Sequence, residues 1–254
     1  MGKFETWDGI EIAYEEWGGG GSAPPVVLHH GFVADAGSNW VATGLVEALR
    51  EAGKTVVAPD ARGHGRSEKP HDPARYGEDT MARDLEALVE EIGAEQVDLV
   101  GYSMGAIVSL LFASAEERVR RLAIGGVGSG VIECGGVDRR SVSNEAVIAA
   151  LEAEDPAQID DAGALPFRQL ADALGSDRVA MAAQARSVYR GEIGLDRISA
   201  PTLVLAGEDD PLAIRPELLA EAIPDATLRI VRGNHIGALG DPNFKQAIVD
   251  FLAA

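Results

Sequence analysis

Short apolar runs alternate with amphipathic stretches from residue 26 almost to the end of the chain, and this alternation limits the possible folds more than any other feature. Residues 26–28, 55–58, 97–100, 119–124, 202–206 and 227–231 are too short for helices and apolar on both faces, as strands covered on both sides must be. Between them, residues 40–51 carry Val41, Leu45, Val46 and Leu49 along one side, and residues 80–92 carry Met81, Leu85, Leu88 and Val89 at helical spacing. Residues 104–113, 216–222 and 242–252 read as further helices, the second with proline in its first turn. The order predicts an α/β fold: a mostly parallel central sheet with helices on both faces. Residues 3–7 and 10–17 flank Asp8-Gly9, a turn dipeptide, and add an antiparallel hairpin at one edge. The run from Gly18 to Gly21, followed by Ser22, Ala23, Pro24 and Pro25, reads as a flexible connection; no helix or Lys-Ser/Thr pair follows it to make a phosphate cradle.

The alternation stops between residues 127 and 197. Alanine-rich stretches at 144–154, 165–174 and 177–189 read as helices with no β-branched run between them. An all-helical insertion in such a chain is expected to cover the C-terminal edge of the sheet, where folds of this class bind ligands. The expected division is therefore a core of residues 1–126 and 198–254 and a helical cap, or lid, of residues 127–197. The glycines from Gly125 to Gly130 could suggest a dinucleotide loop, but residues 131–133 read as extended or irregular rather than helical, and that reading is set aside.

Composition excludes several functions. There are 22 basic against 41 acidic side chains, a formal charge of −19, so the average field repels nucleic acids and anionic membrane surfaces. Cys134 is the only cysteine, which rules out an intrachain disulfide and a cysteine-based zinc site. His29 and His30 could be read as a metal pair, but adjacent strand residues diverge, and no metal or other cofactor is expected. The charged residues among the first 17 positions do not suit a signal peptide, and no apolar run reaches the roughly 20 residues of a spanning helix. The expectation is a cytoplasmic protein acting on a small molecule.

Gly101-Tyr102-Ser103-Met104-Gly105 follows one strand-like run and opens a helix, the setting in which a G-x-S-x-G pentapeptide lifts a serine hydroxyl above a sheet edge. The alternative is a helix-capping serine between two glycines. A serine nucleophile needs a base. Of five histidines, His235 alone lies beyond the last strand and after a candidate acid. Asp209 and Asp210 directly follow the strand at 202–206, and chemistry alone does not choose between them. The oxyanion requires donors: the N–H of Met104 beside the serine, and one from the His30-Gly31-Phe32 turn, where the Phe32 N–H is favoured and His30 braces the loop. Trp40, Phe167, Met181 and Tyr189, with Phe32, are candidates to line an apolar substrate pocket.

With these residues in hand, the chain resembles the serine-dependent α/β-hydrolases over nearly its whole length apart from the cap. The resemblance rests on His30-Gly31-Phe32, on Asp60 through Ser67, on the pentapeptide around Ser103, on Gly207-Glu208-Asp209-Asp210 and on Gly233-Asn234-His235. It implies an esterase-, lactonase- or perhydrolase-like enzyme with Ser103, Asp210 and His235 as its triad and Phe32 and Met104 as oxyanion donors. It implies an architectural role for Asp60 to Ser67, leaving Arg62 and His64 outside the chemistry. Asn234 departs from the small residue or glycine that many relatives carry there. An epoxide hydrolase or dehalogenase of this fold is excluded, because those resemblances carry an aspartate where Ser103 stands. A carbon–carbon bond hydrolase remains compatible and would want Arg168, Arg186 or Arg190 for a substrate carboxylate. A slowly turning-over ligand sensor is the remaining alternative.

Overall fold

A computed structural model describes residues 1–18, 23–138 and 140–253; residues 19–22 of the connection read from Gly18 to Pro25 lie outside them. The chain forms an eight-stranded sheet in the order β1-β2-β4-β3-β5-β6-β7-β8. The strands are β1 (Gly2–Glu5), β2 (Glu11–Trp17), β3 (Val26–His29), β4 (Val56–Pro59), β5 (Val97–Tyr102), β6 (Val119–Gly125), β7 (Thr202–Gly207) and β8 (Ala226–Val231). β1 pairs antiparallel with β2, and β2 antiparallel with β4; every other pairing is parallel. The predicted fold class is thus borne out, with the hairpin as the antiparallel edge.

Side-chain alternation along the strands divides the interior in two. Val26, Leu28, Val56, Val100 and Leu203 pack with α1 (Leu45–Glu51). Val27, Val57, Leu99 and Val204 point the other way, against α2 (Glu78–Glu91) and α3 (Met104–Ala115). Each fully buried Leu or Ile in these layers contributes roughly 1.5–3 kcal/mol.

Between β6 and β7 lie α4 (Gly130–Glu133), α5 (Asn144–Glu152), α6 (Leu165–Leu174) and α7 (Arg178–Arg186). α8 (Pro216–Ala222) packs on the α2–α3 face through Leu219, and α9 (Pro242–Ala253) on the α1 face through Phe244, Ile248 and Leu252. Two local expectations are corrected. Residues 130–133 are helical: Ser129 accepts the N–H groups of Ile132 and Glu133, which a preceding glycine run does not prevent. The single helix expected over 40–51 is instead a π-helical turn, Gly37–Val41, followed by α1, because Gly44 takes a left-handed conformation (φ 76°) between them.

The strand order reverses direction between β3 and β5, opening a crevice at their C-terminal ends. Register puts His29 beside Gly101, Tyr102 beside Gly125, and Gly207 beside Val231, so the loops that follow these strands meet along one edge.

Candidate active site

The turn after β5 is built by its glycines. Ser103 sits at φ 54°, ψ −114°, a strained conformation for a residue with a Cβ. A Cβ on Gly105 would run into the carbonyl oxygens of His29 and His30, and one on Gly101 into the Gly105 carbonyl and the Ser109 hydroxyl. The strain is held by the Ser103 N–H, which donates to Gly125 O at 2.8 Å, and by the Ser103 carbonyl, which accepts the N–H of Ala106 at 2.9 Å. Ser103 is buried, and its side chain lies where α3 begins.

His235 reaches Ser103 from the loop after β8. Its Nε2 lies 3.0 Å from the Ser103 Oγ, and its Nδ1 lies 2.8 Å and 3.0 Å from the two oxygens of Asp210. The carboxylate thus favours the tautomer with the proton on Nδ1, leaving Nε2 free to accept from the serine hydroxyl. Asp210 is buried and also accepts the Leu212 N–H at 2.9 Å, whereas Asp209 is exposed. Of the pair that chemistry alone left open, it is Asp210, the one the resemblance implies, that joins the cluster. The His235 loop is fixed at both ends: Gly233 adopts φ 107°, and the Asn234 side chain accepts the Gly237 N–H at 2.9 Å.

The loop after β3 forms the opposite wall. Gly31 N–H donates to Asn39 Oδ1 at 3.0 Å, and Val33 holds a left-handed φ of 69°. His30 and His64 brace this segment. His30 Nδ1 donates to Gly31 O at 2.8 Å while its Nε2 accepts from Ala61 N–H at 2.9 Å; His64 Nδ1 donates to Arg62 O at 2.9 Å while its Nε2 accepts from Val33 N–H at 3.2 Å. Burial pushes His64 well below the ordinary histidine range, His30 below it, and His29 down to about 3. They are neutral bracing groups. The His29 and His30 rings do not diverge as expected, because β3 ends at His29; their centroids are 5.8 Å apart. Among the described residues no acceptor pairs with the N–H of Phe32 or Met104.

Arg62 is a structural clamp. Fully buried, it joins Asp8 of the hairpin turn, Asp84 of α2 and the Arg75 carbonyl.

A cavity of about 80 Å³ opens beside Ser103. Phe32, Ser103 and Met104 line it from the core, and Val147, Phe167, Gln184 and Tyr189 from the helical segment, with Leu212. Of the five expected pocket residues, Phe32, Phe167 and Tyr189 line it and two do not. Trp40 is wholly buried in the α1–α9 layer, across the sheet from the cavity, because the π-helical turn points its ring inward. Met181 is wholly buried in the α2–α3 layer on the packed side of α7. Sequence reasoning missed Tyr102, whose hydroxyl donates to the His235 carbonyl, and Gln184, a single amide on an otherwise alanine-rich buried helix face.

Comparison with known proteins agrees with this architecture. Residues 24–131 match the model of the alpha/beta hydrolase fold. The chain is 30% identical over 251 residues to the "Putative carbamate hydrolase RutD" of Pseudomonas savastanoi pv. phaseolicola, a match covering 91% of this chain and 95% of that one. It is 40% identical over 105 residues, 41% of its length, to the bifunctional esterase/perhydrolase DCH of Acinetobacter calcoaceticus. That match spans only 36% of the relative, and several other curated relatives are matched over between 34% and 40% of their length. The enol-lactonase of Burkholderia xenovorans LB400 superposes over 100% of both chains with a TM-score of 0.79 at 20% identity, a likeness of fold. Curated relatives include hydrolases of several substrate types, and no helix among the described residues is long and apolar enough to cross a membrane. The chain belongs to the alpha/beta hydrolase family.

Proposed function

We propose that the protein is a serine hydrolase that cleaves a carboxylic ester or lactone of a small to medium substrate through an acyl-enzyme. The observation that carries this reading is the unbroken chain of contacts from Asp210 through His235 to the hydroxyl of Ser103, which lines a cavity. His235 takes the Ser103 proton as Oγ attacks the carbonyl carbon. Asp210 holds the ring in the required tautomer and stabilises the imidazolium. The N–H groups of Phe32 and Met104 receive the oxyanion, the second aided by the N-terminus of α3. His235 returns the proton to the leaving alcohol, water enters, and the same steps in reverse release the acid.

On this reading residues 127–197 act as the cap. α5, α6 and α7 supply one wall of the cavity, and the bonds that tie the segment to the core include Ser187 Oγ to Pro73 O at 2.6 Å, Tyr189 N–H to Glu78 Oε2, Ser141 Oγ to Pro211 O at 2.7 Å, and the Arg215–Glu133 ion pair. The small cavity favours a short acyl group over a polymer or long-chain lipid, and a cytoplasmic site of action is part of the same proposal. Of the three arginines a carbon–carbon bond hydrolase would want, Arg168 is engaged with Asp172 and the carbonyls of Ala150 and Ala153, Arg186 with Glu152, and Arg190 is not among the residues that line the cavity. Turnover of p-nitrophenyl esters and lactones by wild type and by Ser103→Ala tests the proposal. At least a thousandfold loss in the variant, with unchanged circular dichroism, supports it; undiminished cleavage refutes it.

A further inference from the structure

The cavity beside Ser103 is apolar over Phe32, Val147, Phe167 and Leu212, and Gln184 is one of the few polar side chains that line it. Gln184 of α7 is 2% exposed, and its Nε2 lies 2.6 Å from Met104 Sδ. A thioether accepts but cannot donate, so this contact fixes which way round the amide sits. The Oε1 of Gln184 is then left buried with no donor among the described residues. A buried acceptor left in that state is costly unless something entering the cavity supplies the hydrogen. Two carboxyl side chains, Glu78 and Asp138, and the Asn144 amide are further polar groups of the lining, and among the described residues no lysine or arginine lines it. An incoming carboxylate would lose its water there beside two carboxyl side chains, with no cation among the described lining residues to receive it.

We infer, resting on the ester-hydrolase reading above, that the cavity is a specificity pocket for an uncharged acyl group bearing a hydroxyl or N–H donor, which Gln184 Oε1 receives, and that it rejects carboxylate-bearing acyl groups. Gln184 rests on Met104, the residue whose N–H faces the carbonyl oxygen, so the donor it reads lies within a few bonds of the carbonyl. A site built to bond a hydroxyl discriminates against the analogue lacking it far more strongly than an apolar pocket discriminates by size.

The p-nitrophenyl esters of hexanoic acid and 3-hydroxyhexanoic acid, and the p-nitrophenyl monoester of adipic acid, share a leaving group and differ in the acyl chain alone. For the wild type, kcat/KM is expected at least about tenfold higher for the 3-hydroxy ester than for the hexanoate, and at least about a hundredfold lower for the adipate. Gln184→Met, close in volume but without the acceptor, should bring the hydroxy-to-hexanoate ratio to about one. Equal wild-type rates on the first two esters, an unchanged ratio in Gln184→Met, or adipate cleaved as fast as hexanoate each overturn the inference. The wild-type ratios decide it even where Gln184→Met does not fold. If no ester is cleaved, the hydrolase reading fails and the pocket is decided by calorimetry on Ser103→Ala. There 3-hydroxyhexanamide should bind at least tenfold more tightly than hexanamide and adipamate not measurably, whereas equal affinities overturn the inference.

Discussion

The hydroxyl of Tyr102 donates to the backbone carbonyl of His235, so the residue immediately before Ser103 in the chain holds the segment that delivers the imidazole to it. The two rings also lie 5.2 Å apart, and Tyr102 is itself pinned by Phe244 at 5.7 Å. Burial, with Asp210 nearby, pushes the Tyr102 phenol well above its ordinary range, so it remains a donor across the whole working pH range.

Tyr102→Phe removes this one bond and leaves the ring in place. On the proposed mechanism kcat should fall by about three- to tenfold with KM little changed, because the imidazole is less well aimed while the pocket is untouched. The loss in stability should be on the order of 1 kcal/mol. Steady-state kinetics on a p-nitrophenyl ester, alongside urea denaturation, measures both.

Asp210→Asn and Asp209→Asn should differ sharply. The first leaves an amide against Nδ1 and favours the wrong tautomer, and kcat should drop by roughly 10³–10⁴. The second alters an exposed side chain and should change kcat by less than about twofold. Comparable losses in the two variants would contradict the assignment of the acid.

Gly105→Ala tests the backbone of the turn rather than its chemistry. The new methyl would meet two main-chain carbonyls, those of His29 and His30, which cannot rotate away as a side-chain tip could. Destabilisation of about 3 kcal/mol or more is expected, seen as a lower urea midpoint with little change in slope.

Acid should weaken the fold before it reaches most carboxylates. His29, His30 and His64 are held neutral by burial, so below pH 6.5 the unfolded chain takes up protons that the native state refuses. Stability from these groups is full above pH 6.5 and is lost as pH falls towards their depressed values, about 3 for His29. Asp84 acts with the opposite sign: burial, opposed by Arg62, raises it to about 6, so the native state gains one proton there against three refused. The net expectation is a urea midpoint that falls steadily from pH 6.5 to pH 4.5. A flat profile would contradict the neutral bracing role.

Much of this was legible before any coordinates because each signal came with its context. The glycines around Ser103 lie between an apolar run and a helical one, and His235 follows the last strand. Asp210 was separable from Asp209 only through the resemblance, not from side-chain chemistry, since their difference is one of burial and of the Leu212 N–H, neither of which adjacent identical residues reveal. Trp40 misled because an aromatic near a site reads as lining, whereas the π-helical turn sends it into the opposite layer. Tyr102 occupies a free position of the pentapeptide, and its bond to residue 235 depends on strand register alone. Gln184 did leave a trace: it is the one uncharged polar side chain in α7, and it falls on a buried turn among alanines.

The central claim is tested most directly by treating the intact protein with a fluorophosphonate and locating the adduct by peptide mass spectrometry. The account predicts a single adduct on Ser103, absent in Ser103→Ala and formed far more slowly in His235→Ala, with ester turnover lost in step with labelling. Labelling of a different residue, or full ester turnover by a protein fully modified at Ser103, would contradict it.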